Sequence, residues 1–389
     1  MSTKKNILLT GGRAPATLHL ARLFAKARHN VYVAESMKHH ISKFSKAVIK
    51  NFHVPNPRQN TDKYIQALVS IVRSEHIDIL IPTCEEIFYI AKNADLLNEY
   101  CTVFADNHSK LMTLHNKWEF ISSVKSSEIH TPLTWIVYSQ DELKGKLTLM
   151  PKDTQKFILK PVYSRFSSKA KIISKTDLNI QDIDISQNNP WIIQEFINGQ
   201  QLCTYSIVKN GRIFAHTAYP TKFTAGMGSS INFEHKEYPE VFNWISEYVQ
   251  EKNFTGQIAF DFIQTSDDKT YVIECNPRST SGIHLFEQVD FAEAFLEENK
   301  TLINSNKSTK AMIALAMITY GLSSLKTFKG FINWLKVFIF SKDIIFSAKD
   351  PLPFIHQFYI FGSLGLTAIK NKIKIIEVST MDIEWNGES

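Results

Sequence analysis

Residues 257–286 read Gln-Ile-Ala-Phe-Asp-Phe-Ile-Gln-Thr-Ser-Asp-Asp-Lys-Thr-Tyr-Val-Ile-Glu-Cys-Asn-Pro-Arg-Ser-Thr-Ser-Gly-Ile-His-Leu-Phe. Two apolar runs, 258–263 and 271–275, flank a polar Thr-Ser-Asp-Asp-Lys turn, which is the pattern of a β-hairpin. Side chains alternate faces along a strand. Glu274 and Asn276 therefore share one face of the second strand, with Ile273 and Cys275 on the other. On the first strand Asp261 shares a face with Ala259 and Ile263. Pairing the strands brings Asp261, Glu274 and Asn276 within reach of one another. Three oxygen-bearing side chains in an apolar hairpin are unfavourable unless something cationic satisfies them. Mg²⁺, usually held by a couple of carboxylates plus phosphate oxygens, is the natural occupant. Arg278, two residues on, adds a fixed positive charge. A surface hairpin with ordinary exposed acids is the plainer alternative.

The rest of the chain sets the bounds. Its 389 residues are enough for two or three domains. Hydrophobic content of 44% with 21% charged residues describes a globular chain rather than a disordered one. The net charge of +6 is mild, and no basic block or Arg/aromatic repeat points to nucleic acid. Cys84, Cys101, Cys203 and Cys275 show no Cys-x-x-Cys spacing and read as reduced core thiols. The opening Met-Ser-Thr-Lys-Lys-Asn leads at once into a short strand, too short for a signal-peptide core, so a cytoplasmic location is expected.

In the first third, 6–10 reads as a buried strand, Gly11-Gly12 as the turn after it, and 16–28 as a helix leading to a second strand at 31–34. A helix over 63–75, a strand over 77–82, a helix to about 97 and a strand over 101–105 follow. Strands alternating with helices imply a doubly wound parallel sheet. The turn Gly11-Gly12-Arg13-Ala14-Pro15-Ala16 lacks the third glycine and the spacing of a dinucleotide-binding fingerprint, so NAD or FAD is not the expected ligand.

The run from Asp261-Phe262 through Tyr271-Val-Ile-Glu-Cys-Asn-Pro-Arg-Ser-Thr-Ser-Gly282 resembles the metal-binding signature of the ATP-grasp superfamily. Its Glu-x-Asn-Pro-Arg segment looks most like the carboxylate–amine ligase and carbamoyl-phosphate-synthase branches. The other pieces of that family's nucleotide cleft occur upstream in order. Lys117, at the start of a helix running to about 124, resembles the first phosphate-reaching lysine. Lys160 ends the apolar strand Phe157-Ile158-Leu159 before Pro161, as the family's second lysine does. Residues 162–169, with Ser164, Arg165, Ser167 and Ser168, look like the phosphate-covering loop, although they contain no glycine. Trp191-Ile192-Ile193-Gln194-Glu195-Phe196-Ile197 resembles the adenine-reading hinge, with Gln194 and Glu195 at the adenine edge and Phe196 and Ile197 as walls. Gln201 stands where the family commonly has an acid for the ribose hydroxyls. Ala259 stands where D-alanine-type ligases carry an arginine, which leaves Arg278 for that role.

What the resemblance implies is a mixed α/β and α+β chain with an ATP-grasp fold. A doubly wound pre-grasp domain would cover 1–108. The grasp domain, with its central antiparallel sheet, would cover 109–300, with a small lid at about 150–198. A C-terminal α+β appendage would cover 301–389. ATP and Mg²⁺, or Mn²⁺ in its place, are the implied cofactors, with Asp261, Glu274 and Asn276 as metal ligands. Lys160 and Arg278 carry the implied catalytic charge. Arg13, Glu85, Glu86 and Lys222 are implied substrate contacts, and His284 or Glu287 is the candidate general base. The implied activity joins a small-molecule carboxylate, by guess an amino acid, to an amine through an acyl phosphate. A carbamoyl-phosphate-synthase-like kinase and a non-catalytic nucleotide binder are the alternatives. Such enzymes are frequently homodimers.

Beyond residue 300 the resemblance fades. Runs 311–325 and 331–340 are apolar, and neither reaches the 18 or more residues of a spanning helix. Ten lysines, no arginine and six acids lie in 301–389. Such a basic, aromatic-rich segment suits a membrane surface or an acidic partner, and packing against the grasp core is the preferred reading. A proline-punctuated linker over 347–354 and closing strands over 372–378 and 381–385 are expected.

Overall fold

The computed structural model describes residues 3–149, 156–164, 170–174, 183–225, 229–296, 301–305, 308–323 and 325–387. The first sheet has five parallel strands in the order Lys50–His53, Asn30–Glu35, Asn6–Thr10, Ile79–Ile81, Thr102–Val103. Its central strands are buried past their first residues, as their unbroken apolar runs require when helices cover both faces. Helix Pro15–Lys26 begins with proline at its first turn, where the missing N–H removes no bond. It follows Gly11, whose φ of +72° places the turn in the left-handed region that favours glycine. Strand order turns outward from Asn6–Thr10 on both sides, so Gly11-Gly12 and Thr83–Glu86 meet at the switch point where open α/β sheets bind ligands.

Two further sheets carry the cleft. An antiparallel four-stranded sheet runs in the order Thr134–Val137, Trp191–Glu195, Lys156–Pro161, Lys171–Ser174. A six-stranded sheet runs Ile303–Asn304, Arg212–Pro220, Gln200–Lys209, Gly256–Gln264, Thr270–Asn276, Ile129–His130. The Asn210-Gly211 turn between its long strands has both residues at positive φ, as a two-residue hairpin demands. Helix Pro239–Glu251 lies on this sheet, and Trp244 packs edge-on to Phe260 and Phe262. That aromatic layer makes the opposite face of the hairpin rigid, and the rigid floor is what can hold polar groups in register on the other side.

The C-terminal part departs from expectation. Run 311–325 opens as the strand Lys310–Met312, which joins Asn232–Glu234 and Lys342–Asp343 in a three-stranded sheet. Run 331–340 lies in helix Phe328–Phe340, whose i, i+3 and i+4 spacing stacks Phe331, Trp334 and Phe338. The proline-rich linker gives way at Leu352 to a 20-residue helix, Leu352–Asn371, with Pro353 in its first turn, where proline is tolerated. This helix is long and apolar enough to cross a membrane, and the sequence reading found none. The strands expected over 372–378 and 381–385 are absent. Lys372 at φ +55° closes the long helix, and the Ile-rich stretch after it folds back as the short helix Ile375–Val378, with Val378 against Leu364 and Ala368. Alternating Lys-Ile-Lys-Ile mimics a strand, but burial against a helix decided the outcome.

Candidate active site

The hairpin pairs Asp261 directly with Glu274 and Ala259 with Asn276. The register shifts between Asp261 and Phe262, a bulge of the kind that re-aims side chains beside functional sites. Asn276 Nδ2 lies 3.4 Å from Asp261 Oδ2 and 3.5 Å from Glu274 Oε1. Its Oδ1 accepts from Arg278 Nη2 at 3.0 Å. The three expected side chains thus converge, with the Asn276 amide nitrogen toward the two carboxylates and its oxygen held by the Arg278 guanidinium.

Two buried lysines complete the group. Asn116 caps helix Lys117–Ser123, its Oδ1 accepting from the N–H groups of Trp118 and Glu119, and so fixes Lys117 at the first helical position. Lys117 Nζ donates to the Ser164 carbonyl at 3.1 Å and lies 3.9 Å from Glu274 Oε2. Lys160, in the penultimate position of strand Lys156–Pro161, is buried as well. Burial lowers the pKa of both lysines, with Glu274 opposing, and brings Lys160 down to about 8. Burial alone would raise Glu274, but Lys117 and Lys160 hold it well below the usual carboxylate range. Asp261 is pushed up by burial and then by the Glu274 charge, so the pair resists carrying two negative charges. A divalent cation would relieve that repulsion. Two carboxylates side by side suit Mg²⁺, which takes few protein ligands and fills the rest with phosphate and water, and Asn276 would add its oxygen once its amide turned over from Arg278. The residues fit the ion.

Other expected contacts are held by their own neighbours. Glu195 ends strand Trp191–Glu195, and its carboxylate accepts from Leu133 N–H at 3.2 Å. Gln194 is buried and donates to Thr134 Oγ1 at 3.0 Å. Phe196 N–H bonds the Lys156 carbonyl at 3.3 Å, and Ile197 is buried beside it. These bonds tie the hinge to the four-stranded sheet that carries Lys160. Gln201, in strand Gln200–Lys209, is half-buried, and its carbonyl accepts from Thr221 N–H at 2.8 Å. Lys222 pairs with Glu234, which also takes Lys310 at 2.6 Å. Arg165, Ser167 and Ser168 lie outside the described residues.

Four expected contacts are engaged elsewhere. Arg13 is buried, with Nη2 2.7 Å from Asp382 Oδ2 and from Ser36 Oγ, Nη1 donating to the Ser379 carbonyl at 2.9 Å, and its charge shared with Glu35. It anchors the chain's end rather than a substrate. Glu86 Oε1 accepts from Thr10 Oγ1 and from the N–H groups of Thr83 and Cys84, so it shapes its own loop. His284 is buried between His19 and Phe233, and burial lowers its pKa well below the histidine range. Glu287 pairs with exposed Lys342 at 2.7 Å. Among the expected substrate contacts, Glu85 does reach the centre, with Oε1 3.5 Å from Arg278 Nε.

The last residues, expected only as a closing strand, also reach this centre. Glu85 Oε2 accepts from Trp385 N–H at 3.2 Å, and the Trp385 ring packs on Tyr89, His108 and Phe88. Residues 379–385 therefore run along the switch-point loops and hold the Glu85 that faces Arg278. An acid and a tryptophan in a terminal stretch were the available signal, and neither carries a spacing that would mark it.

The family model for the ATP-grasp domain matches residues 114–282, the span that holds both lysines and the whole hairpin. Residues 114–282 are an ATP-grasp domain. Solved structures agree at the level of fold. N5-carboxyaminoimidazole synthetase from Staphylococcus aureus aligns with a TM-score of 0.61 at 13% identity, over 78% of this chain and 80% of that one. L-amino acid ligase from Bacillus licheniformis aligns at 0.56 and 12%, over 76% and 75%. The biotin carboxylase domain of the Hydrogenobacter thermophilus 2-oxoglutarate carboxylase, crystallised with MgADP and bicarbonate, aligns at 0.59 and 12%, over 78% and 72%. No curated protein sequence matches the chain. Each of these likenesses of fold covers about three quarters of the chain.

Proposed function

We propose that this ATP-grasp protein is an ATP-dependent carboxylate–amine ligase. The observation that carries the reading is the convergence of Asp261, Glu274 and Asn276 with two buried lysines and Arg278. In this reading Asp261, Glu274 and Asn276 hold Mg²⁺, which when bound neutralises charge on the transferring phosphoryl group. Lys117 and Lys160 meet the nucleotide phosphates, and the hinge at 194–197 receives the adenine. Phosphoryl transfer needs mainly positioning and charge neutralisation, which side chains of this kind supply. The γ-phosphoryl group passes to the substrate carboxylate, giving an acyl phosphate and ADP. An amine then adds to the acyl carbon, and phosphate leaves as the C–N bond forms. Arg278, held by Asn276 and Glu85, faces the negative charge that develops at the acyl oxygen. The structural neighbours include a ligase for amino acids and a carboxylase holding bicarbonate, so both classes of acid belong among the substrates to test.

The test is ADP and phosphate release with Mg²⁺ and ATP, against amino acids singly and in pairs and against bicarbonate with amines. One acid–amine pair should stimulate release, and Glu274→Ala should abolish it. ATP binding without stimulation by any acid would count against the ligase reading.

A further inference from the structure

Helix Leu352–Asn371 has two apolar faces. Pro353, Gln357, Leu364 and Ala368 point inward, and Ile360 packs there against the groups around Ile41 and Met37. Leu352, Ile355, Phe358, Tyr359, Leu366 and Ile369 recur at spacings of three and four on the other side and are exposed, Leu366 and Ile369 by 73% and 78%. Only 22% of the helix's most apolar window is buried. Phe346 and Phe44 extend this face. Phe346 meets Phe354, which meets Phe358, and Phe44 lies against His356 at 4.5 Å. An exposed apolar surface of this extent marks an interaction site on a folded protein.

The charges around it choose the partner. The helix contains no acid, and its C-terminal end runs into exposed Lys370, Lys372 and Lys374. Exposed Lys349 precedes it, and Lys43 sits over the Phe44 ring. The acids nearest its start are turned away. Asp350 bonds Arg22, Ser45 and the Lys46 N–H, and Asp343 accepts from the N–H groups of Ala314 and Phe346. An apolar ridge rimmed by lysines is complementary to an anionic lipid surface. A second copy docked on the same face would set lysines against lysines. Crossing the bilayer would strip the inner face from Ile41 and Met37, so the helix fits a lipid surface lying flat.

We propose that helix Leu352–Asn371 docks this protein in the plane of an anionic membrane, with its outer ridge at the headgroup–acyl boundary. The test is flotation of the full chain with vesicles of phosphatidylcholine alone or mixed with phosphatidylglycerol, alongside its sedimentation behaviour without lipid. Recovery should be at least about tenfold higher with phosphatidylglycerol and should fall at high salt. Leu366→Asp with Ile369→Asp should reduce recovery to background with an unchanged melting temperature. Lys370→Glu, Lys372→Glu and Lys374→Glu together should abolish the preference for phosphatidylglycerol. Equal recovery on both vesicles, or none, would overturn the proposal. So would a lipid-free dimer that Leu366→Asp dissociates, since the face would then belong to a second copy.

Discussion

Asp382→Asn isolates the anchor of the C-terminal segment. Asp382 receives Arg13 through both terminal guanidinium nitrogens and Ser36 through its hydroxyl, and the Arg13, Asp382 and Glu35 side chains are 9%, 10% and 2% exposed. Breaking a buried pair typically destabilises by about 3–5 kcal/mol when the surviving charge is orphaned. Here Glu35 still neutralises Arg13, so the lower end applies, about 3 kcal/mol. Urea unfolding of wild type and variant would measure it, and a cycle with Arg13→Met should return a coupling of about 2 kcal/mol. Trp385 fluorescence should shift first, because Trp385 follows three residues later and would leave Tyr89 and Phe88. The pH dependence gives a second check. Burial opposes ionisation of Glu35, but Arg13 dominates and lowers its pKa from 4.5 to about 2. A depressed carboxylate pKa means stability that is present above pH 4.5 and lost as pH falls toward 2, worth about 3 kcal/mol. Asp382→Asn should keep that acid limb and Arg13→Met should lose it. An Asp382→Asn variant within about 0.5 kcal/mol of wild type, with Trp385 unshifted, would refute the anchoring role.

Three further outcomes are expected. Glu274→Gln should fold normally and lower Mg²⁺-dependent ATP turnover by about 10²–10³, as loss of a preorganised charge does, measured by ADP release. Lys160, with its pKa brought to about 8 by burial, is charged in the free protein only below that pH, so ATP affinity should fall as pH rises through 8. Calorimetric titration at pH 7 and pH 9 would check it, with Lys160→Met removing the dependence. Gly11→Ala should destabilise by about 1–3 kcal/mol in thermal unfolding, because φ is +72° and the new Cβ would meet Thr83 Oγ1 at 2.6 Å.

Much of the centre was legible because strand alternation is a strict period of two. Asp261, Glu274 and Asn276 had to share a face once the hairpin was recognised, and the structure pairs them. Lys117 and Lys160 were legible from a helix start and a strand end; Lys117 lies 3.9 Å from Glu274, and the Glu274 charge acts on both. Long-range partners were not legible. Arg13 after a glycine turn looks like an anion contact, and only the fold shows that Asp382, hundreds of residues away, takes it. His284 could not be told from a base by position, since burial beside His19 is a property of packing. The missed helix at 352–371 has apolar residues on two faces, so no single amphipathic stripe announced it, and Pro351 and Pro353 read as a linker.

The central claim is acyl transfer through a phosphorylated carboxylate. Its most direct test uses the acid that stimulates ATP consumption, labelled with ¹⁸O in its carboxylate, with the paired amine and Mg²⁺ATP present. The account predicts that the released phosphate carries one carboxylate oxygen per turnover and that Glu274→Ala releases none. Phosphate free of the label, formed at the same rate, would mean that water rather than the carboxylate receives the phosphoryl group, and would contradict the account.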